Sequence, residues 1–182
     1  AGGGDRRDNV RCPFSDPEDV LAFDPVDAYG RPDHAALVAA FEADYRRQRE
    51  RFPTAVTMTG VYITCISGLI EIFGWEMMLL ALGTDPERFG ALTGRYAAWV
   101  QPYFDALAAA DVPMVMVHDD IVWTSGPFVA PDWYRRHVFP HYHTMLAPLR
   151  DAGKRIAFTS DGTYTMFIDD IAAAGAHGFV LE

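Results

Sequence analysis

The chain has 182 residues, with 15 Lys and Arg against 25 Asp and Glu, a formal charge of −10, and half of its residues apolar. That length suits one compact unit and that apolar fraction excludes a wholly disordered chain. The acid excess argues against a nucleic-acid partner, since the basic knots are only Arg46-Arg47 with Arg49 and Arg51, and Arg135-Arg136. Two cysteines, Cys12 and Cys65, exclude a disulfide scaffold and suit a reducing cytoplasm. The start, Ala1 to Arg7, lacks the apolar stretch of a secretory signal.

Residues 1–33 are rich in Gly, Pro and Asp and read as an irregular segment with room for one helical turn. The remaining residues, 34–182, read as one domain. Asp33 caps a helix in which Leu37, Val38, Phe41 and Tyr45 recur at three- and four-residue steps, giving one buried face, until Phe52-Pro53 stops it. Residues 54–65 are rich in Thr, Val, Ile and Tyr, as strands are, and residues 66–82 become Leu- and Met-rich with helical spacing. This is also the most membrane-like stretch. Glu71 and Glu76 interrupt it, and a charge at mid-bilayer costs about 2.5–3.5 kcal/mol, so no membrane span is expected.

Thr84-Asp85-Pro86-Glu87 opens the next helix, with the apolar stripe Leu92, Tyr96, Trp99, Tyr103 and Leu107 and a kink expected at Pro102. Val112 to Val117 reads as a short strand buried on both faces, ending at His118-Asp119-Asp120. A helix from Pro131 to Arg150, interrupted by Pro140 and Pro148, closes at Gly153. The strand Arg155–Thr159 follows and ends in Ser160-Asp161-Gly162, a helix over 163–174 closes at Gly175, and Gly178 opens a third such strand. Strands and helices alternating through short links require parallel strands, so the fold class is α/β. A final strand of this type would normally feed another helix, and the chain is expected to be part of a larger barrel or sheet, truncated at its carboxyl end.

Three successive apolar strands thus end in polar clusters: His118-Asp119-Asp120, Ser160-Asp161-Gly162 and Glu182. In parallel α/β folds the strand carboxyl ends gather at one rim, so the spacing predicts convergent carboxylates. Packed acids repel, and one of them can hold a proton near neutral pH while its neighbour stays a base. The competing reading is that Asp119, Asp120 and Asp161 merely cap the following loops and helices. His118 adjoins the acid pair and suits acid–base work. His137, His141 and His143 form an H-x₃-H-x-H pattern, but Pro140 interrupts it and neither the Glu of a zinc-protease helix nor a Cys accompanies it, so surface or packing histidines are expected rather than a metal site. Phe73, Trp75, Met77 and Met78 read as core. Neither a phosphate-loop nor a dinucleotide glycine motif is present.

The series Thr59-Gly60, Phe73-Gly74-Trp75-Glu76, Asp85-Pro86-Glu87, His118-Asp119-Asp120, Gly126-Pro127 with Pro131, Phe139-Pro140, Gly153-Lys154 and Ser160-Asp161-Gly162 resembles the uroporphyrinogen decarboxylase superfamily over about residues 52–182. The resemblance implies a (β/α)₈ (TIM) barrel, of which this chain would hold about half. It implies a cytoplasmic, cofactor-independent lyase of porphyrin biosynthesis acting on a carboxylated tetrapyrrole. Asp119 or Asp120 would steer pyrrole N–H groups or move the proton, Asp161 would hold that geometry and His118 would assist. Tyr62, Trp123, Ser160 and Glu182 would bind substrate. The alternative within the superfamily is a zinc-dependent methyltransferase working between a corrinoid protein and a thiol, whose His-x-Cys metal pair corresponds here to Phe158 and Ser160. The decarboxylase tyrosine corresponds to Gly68, and the arginine-rich amino-terminal loop of decarboxylases has no counterpart. A third possibility is a catalytically silent half barrel that packs with a second chain, and a homo-oligomer is expected in any case.

Overall fold

Proline and aspartate set the first elements in the computed structural model, which describes residues 12–180. Asp16 and Asp24 each precede a proline and cap a short helix, α1 (Pro17–Ala22) and α2 (Pro25–Tyr29), by accepting from the backbone N–H of Glu18 and Val26. The sequence suggests one turn here; two form, because each Asp-Pro pair supplies both a cap and a fixed first φ. Asp33 caps α3 (His34–Arg51) as expected, accepting from Ala36 N–H at 2.7 Å. The apolar stripe of α3 is only half-buried, with Val38, Phe41 and Tyr45 against the edge of the core.

Strand β1 (Thr59–Val61) is far shorter than its β-rich sequence suggests, because only these residues lie against another strand. It leads into α4 (Cys65–Thr84), which Gly74 breaks at φ 70° and ψ 164° into two helical pieces. The α4 sequence is long and apolar enough to cross a bilayer, and it is the central core helix: Leu69, Ile70, Phe73 and Met78 are all buried. Asp85 caps α5 (Pro86–Ala109), which carries Pro102 inside it and leads to β2 (Met114–His118). The expected helix over 131–150 divides at Val138 into α6 (Pro131–His137) and α7 (Phe139–Asp151). Pro140 thereby sits in the first turn of α7, where its missing N–H has no helical partner to lose. Strand β3 (Arg155–Thr159), a turn of 3₁₀-helix (Thr165–Phe167), α8 (Ile168–Ala174) and β4 (Gly178–Val180) complete the described chain.

The four strands form one parallel sheet in the order β1-β2-β3-β4, each beside its predecessor, with helices in every crossover. The register pairs Val115 with Ile156 and Val117 with Phe158. All four are buried, on the face that the helices cover, where the Phe158 ring meets Tyr142 of α7 at 5.7 Å. Met114, Met116 and His118 point the opposite way and are only half-buried. The expectation of a β2 strand buried on both faces therefore holds for one face. The other face looks into the open concave side of a partial barrel.

Gly68, in the first turns of α4, lies directly under the Tyr96 ring of α5; a Cβ there would collide with the phenol. Tyr96 cannot retreat, being buried with its hydroxyl donating to the Ile63 carbonyl at 3.2 Å. Gly68→Ala should therefore lower stability by about 1–3 kcal/mol, read as a lower urea midpoint at unchanged m value. Gly83→Ala, later in α4 with nothing within 4 Å of the new methyl, should leave the midpoint unchanged or slightly higher.

Candidate active site

The site grows from the end of β2. The Asp119 N–H continues the ladder to the Thr159 carbonyl at 3.1 Å, and strand alternation turns its side chain to the helix-covered face. There its Oδ1 accepts from the N–H of Ile66 at 2.9 Å and of Ser67 at 2.6 Å, in the first turn of α4. Its Oδ2 accepts from the Tyr142 hydroxyl at 2.6 Å. Thr64, the local capping position of α4, makes no side-chain cap and donates instead to the His118 carbonyl at 2.6 Å. The α4 terminus thus takes its cap from a residue more than fifty positions away, where backbone N–H groups and the helix dipole favour an anion. Asp119 is 0% exposed. Burial pushes its carboxyl up to about 6, with the Asp120 charge acting the same way, against the lowering effect of the three hydrogen bonds.

Asp120 turns the other way. Its N–H donates to Ser67 Oγ at 2.7 Å, and its carboxylate Oδ1 lies 3.1 Å from His118 Nε2 and accepts from the Asp161 N–H at 3.0 Å. It is 2% exposed yet lines a small cleft. His118 Nδ1–H donates to the Tyr62 carbonyl at 3.0 Å, so both ring nitrogens face acceptors, as an imidazolium requires. Burial opposes that charge, but the Asp120 and Tyr62 hydrogen bonds and the neighbouring carboxylates outweigh it and raise His118 to about 9.

Asp161 follows β3 and is exposed. Behind it, Gly162 adopts φ +87° and presses so closely on the Trp123 carbonyl that a Cβ would strike it. Thr163 secures the same contact through its N–H to the Trp123 carbonyl and its hydroxyl to the Thr124 carbonyl. The loops after β2 and β3 are thereby locked together. Trp75, Trp123 and Phe128 form an aromatic wall with ring centroids 5.5–5.9 Å apart. With Asp120, Asp161 and Gly162 the two tryptophans enclose a cleft of about 140 Å³. A larger hollow of about 650 Å³, lined by Phe41, Phe52, Val56, Met58, Tyr62 and Met116, lies between α3 and the β1 edge of the sheet.

Of the residues singled out in the sequence, His118, Asp120 and Asp161 converge, with donor atoms within 4.8 Å of one another. Tyr62, 61% exposed, lies beside the His118 ring at 5.6 Å, and Trp123, 49% exposed, forms part of the wall. Asp119 and Ser160 belong to the same knot but face inward. Ser160 is fully buried, with its hydroxyl accepting from Ile121 N–H and donating to the Asp161 carbonyl. Glu182 lies outside the described residues. His137 packs on Trp133 and pairs with Glu87 on the helical side, His141 is half-buried nearby, and His143 is exposed. Two contributors escape sequence reading. Trp75 reads as core by its spacing, and Tyr142 carries no one-dimensional sign that it will meet Asp119.

A parallel sheet wound in chain order, with acids and a histidine converging at its strand carboxyl ends, has the organisation of a (β/α)₈-barrel enzyme. The uroporphyrinogen decarboxylase (URO-D) family matches residues 9–182, and the chain belongs to that family. Among solved structures it is similar to a methyltransferase from Methanosarcina mazei, at 13% identity and a TM-score of 0.57, over 85% of this chain and 43% of that one. The likeness is one of fold, and this chain spans less than half of that protein's length. No curated protein matches the sequence.

The buried Asp119 makes stability depend on pH. Its carboxyl ionises near 6 in the fold and near 3.9 in an unfolded chain, so the folded state holds more protons in between. The stability this group contributes is complete below about pH 4 and is lost as pH rises through about 6. The difference is on the order of 3 kcal/mol at about 1.4 kcal/mol per unit. Asp119→Asn cannot ionise and should flatten that part of the curve in urea titrations between about pH 4 and 7.5. An unchanged slope would assign the titration to another group.

Proposed function

We propose that the chain provides part of the active site of a lyase that removes carboxyl groups from a tetrapyrrole. The observation that carries this reading is the His118–Asp120 pair beside Asp161 at an open rim walled by Trp75 and Trp123. Pyrrole N–H groups are donors, and Asp120 and Asp161 are acceptors on one side of the cleft; the aromatic wall offers a face to the flat ring. Loss of CO₂ from an acetate side chain needs an electron sink. A proton added to the adjoining ring carbon makes the ring cationic, the C–C bond breaks toward it, and CO₂ departs. The exposed methylene carbon then takes a proton and the ring carbon returns its own, so each cycle replaces one carboxylate by hydrogen. In this reading His118 gives up its Nε2 proton, now shared with Asp120, in the first step, and the carboxylates stabilise the ring cation that follows. Asp119 acts on these groups only through position, by fixing the end of β2 against α4.

A second reading, methyl transfer between a corrinoid protein and a thiol, draws support from the Methanosarcina mazei methyltransferase, whose fold the chain shares. The zinc pair of that reading does not fit these residues. Phe158 is buried between Tyr142 and Tyr164 and offers no ligand, and the Ser160 hydroxyl is already engaged. Cys65 is buried, and burial together with Asp119 keeps its thiol protonated. We place the protein in the cytoplasm, where its two free cysteines stay reduced, and as a homo-oligomer with a small-molecule substrate.

Anaerobic incubation with uroporphyrinogen, followed by oxidation and chromatography of the porphyrins, should show stepwise loss of carboxylates. Asp120→Asn should lower turnover by about 100-fold or more, since it removes both the anion and the partner of His118. A folded protein that leaves the eight-carboxylate pigment intact would overturn the lyase reading.

A further inference from the structure

The geometry points to a divalent-cation site of nitrogen and oxygen donors at His118, Asp120 and Asp161, in a chain where the His-x-Cys pair of zinc methyltransferases has no counterpart. Ligands 2.0–2.2 Å from a shared ion lie up to about 4.4 Å apart. The donor atoms of these three residues are already within 4.8 Å of one another, so side-chain movements of about an ångström would close them around an ion.

Two further features single this cluster out from surface acids. The first is orientation. The Tyr62 carbonyl takes the Nδ1 proton of His118, which leaves Nε2 aimed at Asp120, the arrangement by which metal-binding histidines are held. The second is Thr159. Its hydroxyl is 3% exposed and has no hydrogen-bond partner, and the sheet register places Thr159 directly beside His118 on the same face. A buried hydroxyl without a partner is costly, and a cation or its bound water at the cluster would satisfy it.

Two carboxylates balance a divalent charge, and the imidazole favours Mn²⁺, Fe²⁺, Co²⁺ or Zn²⁺ over Mg²⁺ and Ca²⁺. The cation would take the place of the proton between His118 and Asp120. The site does not depend on the lyase reading. In a lyase, an ion held there would withdraw both carboxylates from the substrate and inhibit.

The test is titration of the chelator-treated protein with Co²⁺ and Mn²⁺, read by visible absorption and by the loss of the free Mn²⁺ resonance. One equivalent should bind, with d–d bands and no thiolate charge-transfer band. His118→Gln and Asp161→Asn should each weaken binding at least about 10-fold, while His143→Gln leaves it unchanged. Thr159→Val, which keeps the shape of a buried side chain, should weaken it less, and serves if the other variants fail to fold. Absence of a stoichiometric site at millimolar metal, or binding that all of these substitutions leave intact, would overturn the proposal. Uroporphyrinogen turnover in excess chelator is scored separately, so failure of the cation site and failure of the lyase reading remain distinguishable.

Discussion

A single buried carboxylate ties the described fold together. Asp119 belongs to the end of β2, holds the first turn of α4 and receives the hydroxyl of Tyr142 in α7. Those three elements come from separate stretches of the chain and meet at one group whose charge the interior disfavours. What makes the charge tolerable is the positive end of a helix that has no cap of its own. The same contact fixes the backbone on which His118 and Asp120 sit. Ser67, whose N–H binds Asp119, offers its hydroxyl to the Asp120 N–H, so one turn of α4 sets both acids.

The two faces of the sheet divide the labour. Val115, Val117, Ile156 and Phe158 seal one face under the helices and supply the apolar burial that stabilises the crossovers. Met116, His118 and the neighbouring Tyr62 occupy the concave face, where Met116 and Tyr62 border the hollow beside β1 and β2. Polar groups gather where the strands leave the sheet because the backbone no longer completes a ladder there and side chains must satisfy it. Asp120 accepting from Asp161 N–H and Ser160 accepting from Ile121 N–H are two instances that also weld neighbouring loops.

Much of this was legible in one dimension. Asp33 and Asp85 before apolar periodicity marked helix starts, and the apolar runs ending at His118-Asp119-Asp120 and Ser160-Asp161 marked strands whose ends converge; both signals are local, and local rules suffice for them. The illegible parts depend on partners distant in sequence. Residues 54–58 have strand composition but no strand beside them, so β1 shrinks to three residues. Trp75 looked like core because helical spacing records which residues share a face and not whether that face meets a cleft. Asp119 and Asp120 are chemically identical neighbours, and only the pleat sends one to a helix terminus and the other to the rim.

That division explains how two adjacent acids serve different ends. Asp119 has all its acceptor needs met by N–H and O–H donors inside the protein, so what it contributes is position. Asp120 faces a histidine whose other nitrogen is already committed to Tyr62. Such a pair has two ways to balance its charge, a proton on the imidazole or a metal ion between nitrogen and carboxylate. Asp161 tilts the balance, because a second carboxylate within reach leaves excess negative charge that one imidazolium cannot neutralise. Under the proposed lyase reading a ring cation would answer that excess, and under the proposed cation site a divalent ion would. The chemistry of the rim is therefore set by the count of charges around His118, and that count follows from where β2 and β3 release their chains.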